Sequence, residues 1–129
     1  MAQNDLFDVI INRLGQKTEV YGEKGCLRWT GTQTGGAKYP KYGKMRVKFP
    51  HDINSKYQYV HRLSFMAHAQ LMHIPPGLHV SHLCHLSLCV NPQHLSLEPA
   101  CVNVDRQRCG DMCQHHKVGD RAFPDCILW

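Results

Sequence analysis

Leu6, Val9, Ile10 and Leu14 recur at intervals of three and four residues, the spacing that gathers side chains on one face of an α-helix, so residues 4–14 are expected to form a short amphipathic helix. Residues 15–43 have no such period. They are rich in Gly, Thr and Lys, with Gly35-Gly36 and Tyr39-Pro40 as breakers, which predicts short strands joined by loops. From Lys44 to Phe49 the pattern alternates: Met45, Val47 and Phe49 fall on one side and Lys44, Arg46 and Lys48 on the other. That is a strand with one buried face and one wholly basic face. Pro50 and the HDINS stretch form a turn, after which residues 56–60 return as the partner strand of a hairpin. Residues 61–72 read as a helix with Leu63, Ala67 and Leu71 on one side, ended by Ile74-Pro75-Pro76-Gly77, and residues 78–81 as a short strand.

A length of 129 residues is one domain's worth. The pattern divides it into a helix and lead-in (1–23), basic antiparallel strands (24–60), a helix and turn (61–76) and a ligand-rich remainder (77–129). Hydrophobic residues make up 43% and charged residues 19%, which excludes a disordered tail protein. No stretch approaches the roughly 20 apolar residues that a bilayer requires, so no membrane partner is expected. Asp5, Asp8 and Arg13 interrupt the place where a secretory signal would carry its apolar core, and an intracellular, non-secreted protein is expected. In a reducing compartment, seven cysteines beside ten histidines point to metal rather than disulfides.

The net charge of +5 is unevenly placed: nine of fifteen Lys and Arg, against four of ten acids, fall within residues 1–50. Lys38, Lys41, Lys44, Arg46 and Lys48 follow one another without an intervening acid, and Tyr39 and Tyr42 sit among them. A localised basic stripe is what a polyanion-binding face requires, because neutralising phosphates releases counterions; a solvated strand face would have the same composition.

Residues 79–109 carry the most chemistry. Cys84, Cys89 and His94 are each separated by four residues, a spacing suited to zinc on an irregular loop and one ligand short of a tetrahedral site. Cys109, Cys113, His115 or His116, and Cys126 supply enough ligands for a second closed site. Two structural zincs are therefore expected.

His82-Leu83-Cys84, then Cys89-Val90-Asn91-Pro92 and His94-Leu95, followed by Asn103, resembles the ββα-metal core of the His-Me finger (HNH) endonucleases, in particular the zinc-binding His-Cys box branch that includes homing endonucleases. A looser match, through Tyr59-Val60-His61-Arg62-Leu63 and the hairpin before it, extends the resemblance to about residue 24. The resemblance implies a small, zinc-stabilised α+β domain with antiparallel hairpins and a ββα-metal core. It also implies an endodeoxyribonuclease that leaves 5′-phosphate and 3′-hydroxyl ends. His82 would be the general base, Asn103 the ligand of one catalytic Mg²⁺, and Arg46 the support of the scissile phosphate, with Arg62 as the other arginine for that role; His85 is a weaker candidate base. The family pattern draws one zinc ligand from well upstream, which Cys26 fits and for which Cys101 competes.

DNA is the implied partner, held by Lys38, Lys41, Lys44, Arg46 and Lys48. Its presence as substrate implies nuclear residence in a eukaryote and cytoplasmic residence otherwise. Homing endonucleases of this branch carry longer tails that help build a dimer, whereas this chain ends soon after Cys126, so a homodimer stays open. A non-catalytic zinc module binding DNA through the same strand is the alternative, and it has no need of His82 or Asn103.

Overall fold

The helical period at the amino terminus becomes α1 (Gln3–Gly15) in a computed structural model that describes residues 3–34 and 41–104. Leu6, Ile10 and Leu14 are buried as their spacing predicts, but Val9 is exposed and Phe7 lies in the core. At 100° per residue Leu6, Phe7, Ile10 and Leu14 share an arc of roughly 100°, and Val9 falls outside it. β1 (Thr18–Tyr21) and β2 (Cys26–Trp29) then form an antiparallel hairpin, with Tyr21 opposite Cys26.

The alternating segment is β3 (Lys44–Val47), which buries Met45 and Val47 and leaves Arg46 exposed; Phe49, just beyond, is also buried. Its partner is β4 (Lys56–Tyr59), with Arg46 opposite Tyr57 and Lys44 opposite Tyr59. Asp52 fastens the turn between them: its carboxylate accepts the Phe49 N–H at 3.1 Å, and its own N–H donates to the Phe49 carbonyl at 2.9 Å.

Helix α2 (Val60–Ala69) follows directly and packs against α1. It stops three residues before the expected end at Met72, because Gln70 adopts a left-handed conformation (φ 58°, ψ 44°) and donates its N–H to the Met66 carbonyl. Such caps are usually Gly or Asn, so a glutamine there leaves no mark in the sequence. The last hairpin pairs β5 (Leu78–His82) with β6 (Leu95–Pro99), His82 opposite Leu95, and residues 100–104 are helical, which completes a ββα order.

The described strands thus form three separate two-stranded sheets arranged with the helices around one core that includes Ile10, Trp29, Phe49, Leu63 and Val80. Close approach at its centre depends on Gly43, where a Cβ would run into the Trp29 ring and lie 2.5 Å from Val60 Cγ2. The architecture is mixed α+β, as expected. Among the described residues no helix is long and apolar enough to cross a membrane.

Candidate functional site

Three stretches of chain converge on one buried cluster. Cys26 opens β2, Cys84 and Cys89 bound the loop after β5, and His94 ends a 3-10 turn, Pro92–His94. The loop is drawn to β2 by backbone pairing: the Trp29 N–H donates to the Leu88 carbonyl at 2.9 Å, and the Val90 N–H donates to the Leu27 carbonyl at 2.8 Å. Asn91 locks the corner, its Nδ2–H donating to the Gly25 carbonyl at 2.8 Å while its Oδ1 accepts the Gln93 N–H at 3.0 Å. Pro92 occupies the first position of the turn, where a missing N–H leaves nothing unpaired.

The ligand atoms of Cys26, Cys84, Cys89 and His94 all lie within 4.8 Å of one another. His94 Nδ1 is 3.4 Å from Cys26 Sγ and 3.6 Å from Cys89 Sγ. Tetrahedral zinc, at about 2.3 Å from sulfur and about 2.05 Å from nitrogen, would separate these ligand types by about 3.6 Å. The three cysteines are fully buried. Burial pushes the Cys26 thiol up to about 11, while hydrogen bonding between Cys84 and Cys89 raises the first and lowers the second to about 5. A thiolate crowded against two buried thiols is relieved by a divalent cation, so the donor set and its spacing both fit zinc. The chain has one Cys3His zinc-binding cluster among its described residues. Cys101, the competitor for the fourth ligand, is exposed and outside it. Cys109, Cys113, His115, His116 and Cys126, expected to form a second site, lie outside the described residues.

His82 ends β5, half-buried beside this cluster, with Nε2 3.2 Å from the Cys89 carbonyl oxygen. A carbonyl only accepts, so Nε2 carries the hydrogen and Nδ1 keeps its lone pair. Burial lowers its pKa to about 4, the Cys89 hydrogen bond opposing and nearby His85 adding to the shift. The ring is therefore neutral at physiological pH. His85 itself sits inside the zinc loop with a left-handed backbone (φ 61°).

Asn103, in the helical segment, places Nδ2 3.2 Å from Nδ1 of His79 on β5. With the amide nitrogen donating there, Oδ1 is the atom left to bind a cation.

Arg46 projects from the exposed face of β3, its guanidinium 5.1 Å from the centre of the Tyr57 ring and its Nε 3.4 Å from Ser55 Oγ. Lys44 lies 4.5 Å from the same ring centre, and Lys41 and Lys48 are exposed; Lys38 lies outside the described residues. Arg62, the other arginine considered, is half-buried on α2.

Two features were not foreseen from spacing. Tyr57, across the ribbon, carries both Lys44 and Arg46 on its ring. Next to His82 lies His61, from the start of α2, with ring centres 4.5 Å apart. Tyr57 could have been found by laying the two strands in register, but the pairing of two histidines twenty-one positions apart has no local signal.

The chain matches the family described as the zinc-binding loop region of homing endonuclease over residues 25–127. That span includes every residue of the cluster as well as His82, Asn103 and the basic ribbon. No curated protein and no solved structure matches the chain.

Proposed function

Because the chain belongs to the family of the homing-endonuclease zinc-binding loop region, which gives it a nuclease-related or DNA-binding role, we propose that it is a Mg²⁺-dependent DNA endonuclease with His82 as general base. The observation that carries this reading is the hydrogen bond from His82 Nε2–H to the Cys89 carbonyl, which leaves Nδ1 as the ring's proton acceptor. A neutral imidazole with one nitrogen so fixed suits the removal of a proton from water.

In the reaction, the water oxygen forms a bond to phosphorus as its proton passes to His82 Nδ1. The bond from phosphorus to the 3′ oxygen breaks and that oxygen takes a proton from solvent, leaving a 3′-hydroxyl and a 5′-phosphate. Arg46 accompanies the scissile phosphate, since a guanidinium can hold two of its oxygens and stabilise the charge that develops there. Lys41, Lys44 and Lys48 hold neighbouring phosphates and set the position of the strand. Asn103 fits the role of Mg²⁺ ligand, because His79 engages its amide nitrogen and Oδ1 is left over. The ion, when bound, supplies charge stabilisation at the phosphate and the leaving oxygen.

Plasmid cleavage by zinc-loaded protein, with and without Mg²⁺, tests the proposal. Wild type is expected to nick or linearise the plasmid only with the metal, and His82→Ala to lose at least about 100-fold in rate while keeping zinc and DNA binding. Cleavage by His82→Ala at the wild-type rate would remove His82 from the mechanism. The exposed basic face of β3 also favours a second reading, a DNA-binding module without catalysis, and binding with no cleavage across several divalent metals would decide for it.

A further inference from the structure

A single hydrogen bond at Nε2 fixes which nitrogen of His82 carries its hydrogen, but it leaves the ring free to tilt about that contact. Something else has to hold the plane. His61 is placed to do so: it is 7% exposed, its ring centre is 4.5 Å from that of His82, and the two planes are tilted by 44°. Tyr42 lies farther off, with its ring centre 6.1 Å from that of His82 and 5.4 Å from that of His61. Tyr59 stacks near His61, with centres 5.7 Å apart and planes within 19°.

His61 is the second residue of α2, and Val60 before it donates its N–H to the Gly43 carbonyl at 2.9 Å. The helix start is thereby tied to the tight packing around Trp29. His61 is thus carried on the rigid core, whereas His82 stands at the mouth of the zinc loop. The His61 Nδ1 is buried and has no hydrogen-bond partner in the structure. A buried nitrogen left unpaired costs stability rather than adding to it, and the contact His61 makes with His82 is through its ring, tilted by 44° at 4.5 Å.

We infer that His61 is a positioning residue for His82, its ring acting as the backing that holds the His82 imidazole in one orientation with Nδ1 turned to the site. The consequence for catalysis rests on the reading of His82 as general base; the effect on the His82 ring does not. Misplacement of a reacting group by about 1 Å can cost on the order of 100-fold in rate, so the backing would be felt in turnover rather than in DNA affinity.

The test begins with the zinc-loaded protein alone. Nitrogen and carbon NMR shifts of the His82 ring report its tautomer and whether it holds one orientation. Wild type and His61→Phe, which keeps a flat ring, are expected to show a single Nε2–H form. His61→Leu, which fills the volume without a flat face, and His61→Ala are expected to show averaged shifts. Retention of the wild-type His82 signals in His61→Leu would overturn the inference, whether or not the protein cuts DNA, and using leucine keeps that test available should the alanine variant fail to fold.

Cleavage then reads the consequence. His61→Leu should lower kcat by roughly 10- to 100-fold with KM for DNA changed less than about twofold, and His61→Phe should restore kcat to within about threefold of wild type. In a His82→Ala background, His61→Leu should cost nothing further, since its effect passes through His82; a further loss there, or failure of phenylalanine to rescue, overturns the inference. If wild type cuts no DNA while the His82 signals respond to leucine as expected, the positioning role stands and the nuclease reading fails.

Discussion

An imidazole that is to take a proton from water has to be neutral, in the right tautomer and held still. His82 meets the first requirement through burial, which lowers its pKa to about 4, and the second through the Cys89 carbonyl. The same burial makes stability depend on pH. In the unfolded chain this ring titrates near 6.5, so between the two values the unfolded chain binds the extra proton and acid favours unfolding. The contribution is fully present above about pH 6.5 and is lost as pH falls towards 4, up to about 3 kcal/mol. Urea unfolding of wild type and His82→Ala across that window should show the difference between them shrinking with acid; parallel curves would rule the linkage out. His82 stands out in the sequence as a candidate base, because a histidine two positions before a cysteine in an ordered string of ligands is a specific pattern. Its neighbour His61 was legible only as part of a loose motif, since ring packing across two elements depends on how the core brings β5 and α2 together.

At the scale of elements, alternation proved the most readable signal. Lys44 to Val47 form a strand and the alternation of buried and basic residues runs on to Phe49, because period two admits only one assignment of sides. The amino-terminal helix was legible in extent but not in its full apolar face, where Phe7 replaces Val9, and α2 ends early at a left-handed glutamine that no pattern announces. The ribbon formed by β3 and β4 makes a quantitative prediction. Each exposed cation that contacts a phosphate should contribute about 0.9 to the slope of log affinity against log salt. Arg46→Ala and Lys48→Ala are therefore each expected to weaken DNA binding and flatten that slope by about one unit in fluorescence titrations, and an unchanged slope would take the residue off the interface. Tyr57→Leu should act on Lys44 and Arg46 together, since both rest on its ring. The packing where β3, β2 and α2 meet is tested by Gly43→Ala, which forces a methyl group against Trp29 and Val60. It should destabilise by about 1–3 kcal/mol, read as a lower Tm with zinc content preserved.

At the scale of the whole molecule, three two-stranded sheets among the described residues share no continuous backbone ladder, and the Cys3His cluster fastens β2 to the loop that follows β5. Structural zinc contributes on the order of 10 kcal/mol in small zinc peptides, comparable to the entire stability of an ordinary domain. Chelation, or Cys26→Ser, is accordingly expected to abolish cooperative thermal unfolding, with zinc loss measured by mass spectrometry in step with the lost transition. A domain that keeps its transition without zinc would show that the hydrophobic core suffices. Cys26 illustrates what the sequence could and could not say: its distance from the other ligands hid it from spacing, and it reaches them because residues 88–90 pair with β2. Cys89 sits where two tasks meet, since its sulfur belongs to the zinc cluster and its carbonyl oxygen orients His82. On the proposed mechanism, a newly made chain without metal would then have neither a settled loop nor an aligned base, and would be harmless to the genome of the cell that makes it. On the same reading zinc supply would arm the protein, setting the moment at which synthesis becomes cutting.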